Sequence, residues 1–151
     1  MNAIVRLATC GLAAAAGMGI LNASGPIAVY ALVERVVFEP NPETPERIQV
    51  FGIFITAAER SNSYSDPQRG YLYFTVPANS RELALREWAD LKSVAGTHQV
   101  VAFGSSWSGK VRVRKADEEA KSPDAYVMGN GLVKVNADHP MARALLDSAG
   151  H

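Results

Sequence analysis

Cysteine is almost missing from this 151-residue chain, with Cys10 the only one. That excludes an intrachain disulfide framework and a cysteine-based metal site. Histidine is sparse too. His98, His139 and His151 are not spaced for one helical metal-binding face, so neither metal nor cofactor is expected. Excess charge of one sign is also lacking: 15 basic residues balance 15 acidic ones. No basic surplus points to nucleic acid or to an anionic membrane. Beyond residue 21 no apolar run approaches the roughly 20 residues that a membrane span needs. What is present suits a single globular domain, with 48% hydrophobic and 20% charged residues.

The first 31 residues follow another logic. MNAIVR carries one arginine and no acid, LATCGLAAAAGMGIL (7–21) is apolar, and NASGPIAVYA is polar and then small. That is the order of a secretory signal peptide. A cut after Ala31 places Val29 and Ala31 at the small-residue positions, and Ala23 is a second candidate. An uncleaved anchor is the competing reading, because signal and anchor share the same hydrophobic physics. A lipoprotein is disfavoured, since Cys10 precedes most of the apolar run. The expectation is a periplasmic or secreted protein with no span left once the leader is gone. It would be stabilised by core packing alone.

Three strand candidates come next. ALVERVVFEP (31–40) is β-branched and stops at a proline. RIQVFGIFITAAE (47–59) is apolar on both faces, so both should be covered. Ile48, Val50, Phe54 and Thr56 face one way, and Phe51, Ile53 and Ile55 the other; Gly52 inside it predicts a bend or bulge. GYLYFTVP (70–77) sets Tyr71, Tyr73 and Thr75 opposite Leu72, Phe74 and Val76. The period then changes. Asn79 and Glu82 resemble a capping box. Ala84, Leu85, Trp88, Leu91, Val94 and Ala95 predict the apolar side of a helix, with Arg86, Glu87, Asp90 and Lys92 on the wet side. Gly96 is a C-terminal stop. QVVAFG (99–104) and KVRVR (110–114) predict two more strands.

The order β-β-β-α-β-β predicts a mainly β fold: a five-stranded, OB-like Greek-key barrel over 32–114, with Trp88 plugging one end. A small sandwich with one inserted helix is the alternative. Residues 115–151 form an extension packed on the barrel. AYVMGNGLVKV (125–135) predicts a hairpin turning at 129–131. Asp138 predicts the cap of a last short helix, with Pro140 in its first turn, running to about Ser148. The stretches ERVVFEP, RIQVFGIF, RGYLYF, REWADLKSVAG and QVVAFG resemble small exported bacterial proteins known only as uncharacterised. The resemblance implies a shared fold and export, and no activity.

Residues 104–111, GSSWSGKV, imitate a nucleotide-binding loop. The last position is Val111 where a Ser/Thr hydroxyl should meet magnesium, and VRVR follows where a helix should start. A hairpin between two strands fits better. Glu34, Glu39, Glu87 and Asp90 could pair as carboxylates, but Glu87 and Asp90 read as a solvated helix face. No enzyme is therefore expected. The remaining candidates are Tyr71 and Tyr73 on one strand face, Lys110, Arg112 and Arg114 on another, and Trp107 at a hairpin tip. In an OB-fold such aromatics stack bases or sugars and such arginines neutralise phosphates. The bland alternative is a pair of half-buried strand tyrosines and a soluble basic edge, and zero net charge favours it. The expectation is a non-catalytic binding or accessory module of the cell envelope, with an envelope protein or an oligomeric ligand as partner. The alternatives are an extracytoplasmic protein–protein interaction domain, using strand edges and Trp107, and an enzyme with an unrecognised site.

Overall fold

The computed structural model describes residues 28–40, 46–57, 63–76, 78–104, 112–123, 125–126 and 132–150. Its elements are β1 (Ala28–Glu39), β2 (Arg47–Thr56), β3 (Gln68–Thr75), α1 (Arg81–Val94), β4 (Val101–Gly104), β5 (Ala125–Tyr126), β6 (Leu132–Lys134) and α2 (Pro140–Ser148). One sheet holds all six strands in the order β5-β3-β2-β1-β4-β6. Every neighbouring pair is antiparallel except β5, which runs parallel to β3. The fold is therefore mainly β with two helices.

Among the described residues the sheet is not closed: it is an open sheet edged by β5 and β6. Of the strand expected at 110–114, the described residues 112–114 contribute one antiparallel bridge, Arg114 to Tyr71, on the outer side of β3. The turn expected at 129–131 lies outside the described residues. Of its flanks, the described residues Ala125–Tyr126 and Leu132–Lys134 form β5 and β6 at opposite edges of the sheet. Turn chemistry is local, whereas strand pairing is decided by long-range burial.

β1 is the centre of the sheet and begins earlier than its sequence predicts. Residues 28–31 carry all of its pairing with β4, from Ala28 opposite Gly104 to Ala31 opposite Val101. Its other side pairs with β2 from Val29 opposite Thr56 to Glu39 opposite Arg47, and the register shifts between Val33 and Arg35. That irregularity faces Gly52, where a β-carbon would stand 2.2 Å from the Leu32 carbonyl oxygen. The glycine lets β1 come close while the bulge bends it.

Alternation sorts the side chains into two layers. Val33, Val50, Phe54, Leu72 and Phe74 pack with Ala84, Leu91 and Val94 of α1. On the opposite face Leu32, Ile53, Ile55 and Val100 pack with Ala142 and Leu145 of α2. The C-terminal helix thus lies on the sheet.

Both helices lie where their residues dictate, with three corrections, at Glu87, Trp88 and the cap of α2. Gly96 takes φ +76° after α1, and its N–H donates to the Val33 carbonyl at 2.9 Å, tying the helix end to β1. The buried side of α1 is Ala84, Glu87, Leu91 and Val94. Glu87, expected to be solvated, is 2% exposed. Trp88, expected to plug the core, is half-buried at its margin, 5.2 Å from Phe38 and with the Lys92 ammonium 4.6 Å above its ring. The contact face is turned by about one residue from the most apolar line, so a carboxylate went in where an indole was expected. In α2 the cap is His139 and not Asp138: the His139 Nδ1 accepts from the Met141 N–H at 3.1 Å.

Candidate functional site

Tyr71 and Tyr73 project from β3 on the side opposite α1, alternating with the core residues Leu72 and Phe74. Their neighbours follow from register. Arg35, Phe51 and Tyr71 form one row across β1, β2 and β3. The Arg35 guanidinium lies 3.8 Å over the Phe51 ring, Phe51 and Tyr71 stack at 5.0 Å, and Tyr71 meets Tyr73 edge-on at 6.3 Å. Such cross-strand aromatic and cation–π contacts are a usual source of sheet stability.

Both tyrosines are buried, 2% and 3% exposed, and both hydroxyls are engaged. Tyr73 donates to Glu39 Oε1 at 3.0 Å and accepts from Arg47 Nη1 at 3.3 Å. Burial, aided by the neighbouring Glu39 carboxylate, pushes the Tyr73 phenol above its ordinary pKa, and Arg47 opposes it. Tyr71 donates to the Glu118 carbonyl oxygen at 2.7 Å.

The two predicted arginines are brought to the same place. Arg114 and Tyr71 exchange both backbone hydrogen bonds, at 2.8 and 2.9 Å. Gly70 permits this approach, because a β-carbon there would stand 1.9 Å from the Arg114 carbonyl oxygen. Arg112 pairs with Glu118 at 2.8 Å and Arg114 pairs with the same carboxylate at 3.3 Å. The hydrogen bond from Arg112 holds the Glu118 carboxyl below its ordinary pKa, and the Lys115 backbone N–H reinforces it. Arg114 also donates to the Ser122 carbonyl at 3.2 Å.

Four of the five predicted site residues therefore converge, and their polar side-chain groups are engaged by Glu39, Arg47, Glu118 and the Ser122 carbonyl. Tyr71 and Tyr73 are no open stacking platform, and the two guanidiniums share an internal acid. Trp107 and Lys110 lie outside the described residues. The sequence reading missed Phe51, Arg35, Arg47 and Glu118 as members of this cluster. Phe51 could have been found from its place on the same face of the adjoining strand. Glu118 sits in a charged stretch without periodicity, which gave no signal.

A second aromatic group joins the start of β1 to the cap of α2. Tyr30 stacks on His139 at 5.4 Å and meets Tyr64 edge-on at 5.7 Å. His139 is exposed, and partial desolvation of its ring pushes the imidazole below its ordinary pKa. Among the described residues no group of three or more His, Cys, Asp or Glu could hold a metal ion. No helix among them is long and apolar enough to cross a membrane. Among the described side chains, Val133 of the edge strand β6 is a conspicuous exposed apolar one, at 63%. No family model matches this chain, and neither does any curated protein or solved structure.

Proposed function

We propose that the protein is an exported, non-catalytic binding module of the cell envelope that engages a protein partner along a sheet edge. The observation that carries this reading is Val133, 63% exposed on β6. β6 is an edge strand with no further strand hydrogen-bonded beyond it among the described residues. An edge offers unpaired N–H and C=O groups, and an exposed β-branched side chain on it favours strand addition by a partner. The Tyr71, Tyr73, Arg112 and Arg114 cluster supports the same choice from the other direction. Its hydroxyls and guanidiniums are bound to Glu39, Arg47 and Glu118, so a base, sugar or phosphate would have to displace them. Export is supported by the charge–apolar–small pattern of the first 31 residues.

An OB-like relationship belongs to the same proposal. The order β3-β2-β1-β4 with α1 between β3 and β4 is compatible with a partly open Greek-key barrel. Connectivity supports curling. In a flat sheet β5 and β6 would be about 24 Å apart at five inter-strand spacings. The six residue steps from Tyr126 to Leu132 reach about 21 Å at full extension.

Site-specific photocrosslinking tests the edge. A crosslinker at Val133 in the exported protein is expected to trap an envelope protein, while one at the exposed Glu119 traps none. Equal adducts at both positions would remove the edge reading. Salt-sensitive binding of single-stranded DNA or an acidic glycan, abolished by Tyr73→Ala, would replace it with the oligomer-binding reading.

A further inference from the structure

We infer that the leader is removed at Ala23–Ser24 and not at Ala31, so that the mature chain keeps residues 28–31. This rests on the export reading proposed above. Ala31 has the more favourable small-residue pattern by sequence, but it is 0% exposed in the middle of β1. A cut after it deletes Ala28, Val29, Tyr30 and Ala31, the four residues that make every β1–β4 pair. β6 is attached to the sheet through β4, so both strands would lose their attachment to β1. The same cut removes Val29 and Ala31 from the core beneath α1. It also removes Tyr30, the ring on which His139 stacks. Between the apolar run, which ends at Leu21, and Ala28 the small residues are Ala23, Ser24 and Gly25. A cut after Gly25 puts Pro26 on the leaving side, where the ring locks φ and removes the N–H. Ala23 is the position that leaves β1 (Ala28–Glu39) whole.

The test is mass spectrometry of the N-terminus, with the full-length precursor expressed in an exporting host. An N-terminus at Ser24 is expected. An N-terminus at Leu32 on folded, exported protein overturns the inference and leaves export standing. An intact Met1 in the envelope overturns the cut, and an intact Met1 confined to the cytoplasm overturns the export reading with it. Ser24→Pro places proline directly after Ala23, upstream of β1, and is expected to accumulate uncut precursor. Release of a Leu32 product from that variant overturns the inference. Independently of export, a chain beginning at Ser24 should unfold in one cooperative transition and a chain beginning at Leu32 should show none. Equal Tm values for the two would overturn the structural argument.

Discussion

Beneath α1 the sheet residues are apolar: Val33, Val50, Phe54, Leu72 and Phe74 meet Ala84, Leu91 and Val94, with the buried Glu87 on the same side of the helix. The opposite face is divided. One half, Leu32, Ile53 and Ile55, is dry beneath α2. The other half, Arg35, Phe51, Tyr71 and Tyr73, is aromatic and polar and is closed by Glu39, Arg47 and Glu118. The two faces therefore hold by different physics. A dry layer depends on volume, because any void forfeits contacts on every side. The polar half depends on each hydroxyl keeping its partner, because an orphaned buried polar group costs about 1–3 kcal/mol.

The largest effect should come from the dry face. Phe54 is fully buried there, so Phe54→Ala is expected to destabilise the fold by about 3–5 kcal/mol. Denaturant unfolding checks it. Trp88→Ala should cost distinctly less, because the indole stands at the margin of that layer. An equal loss from both would show that the rim is as tightly packed as the centre, and the contrast between interior and margin would fail.

Gly70→Ala comes next and strikes the polar half. The new β-carbon meets the Arg114 backbone, which cannot swing aside as a flexible side chain would. A loss of about 1–3 kcal/mol is expected from overpacking. The segment around Arg114 should lift from β3, so faster hydrogen exchange at the Tyr71 and Arg114 amides is the specific signature. Unchanged exchange at these two amides would mean that the Arg114 bridge is not what Gly70 serves.

Tyr73→Phe keeps the ring and deletes one hydroxyl. It is expected to cost about 1.5 kcal/mol, since the lost partners are the charged Glu39 and Arg47. A neutral result would show water or a rearranged Arg47–Glu39 pair replacing it. The polar half would then be held by its rings, as the dry face is.

How far the residues announced all this depends on whether a feature is local. β2, β3, α1, α2 and the Gly52 irregularity were legible, because period, caps and glycines act over a few positions. The start of β1 was not. Residues 28–31 are small and apolar, a composition that suits both the end of a leader and a buried strand. The partner of 110–114 was also hidden, since alternation fixes which side chains share a face but not which strand lies alongside. Tyr71 and Tyr73 were recognised as a pair, and their alternation would look the same on an open groove. Only the arrival of Glu118, some 45 residues later in the chain, distinguishes a plugged cluster from a binding face. The inversion of Glu87 and Trp88 is a rotation of about 100° between neighbouring helix positions. Hydrophobicity alone could not resolve it.

The smallest effect is a matter of pH, and it separates the two faces by titration. His139 caps α2 by accepting the Met141 N–H on Nδ1. A protonated imidazole has no lone pair there, and it adds positive charge at the positive end of the helix. Partial desolvation of the exposed ring lowers its pKa from the ordinary 6.5. The sign follows from linkage. The unfolded chain takes up the proton first, so the stability that neutral His139 supplies is complete above pH 6.5. It is lost as pH falls from there through the lower folded pKa. The groups around it do not reverse this: Tyr30 stacks on its face and Tyr64 meets Tyr30, neither bringing negative charge in that range, and the neighbouring Asp138 is exposed. Glu118, with its lowered pKa, also loses stability on acidification, but only below the ordinary carboxylate value of 4.5. Thermal unfolding of the native protein between pH 7.5 and 5 should therefore show a modest fall in Tm. His139→Asn, which keeps an acceptor at the cap, should keep the neutral-pH Tm nearly unchanged and flatten that slope. A slope that survives in His139→Asn would move the pH sensitivity elsewhere and leave α2 held on the sheet by Ala142 and Leu145 alone.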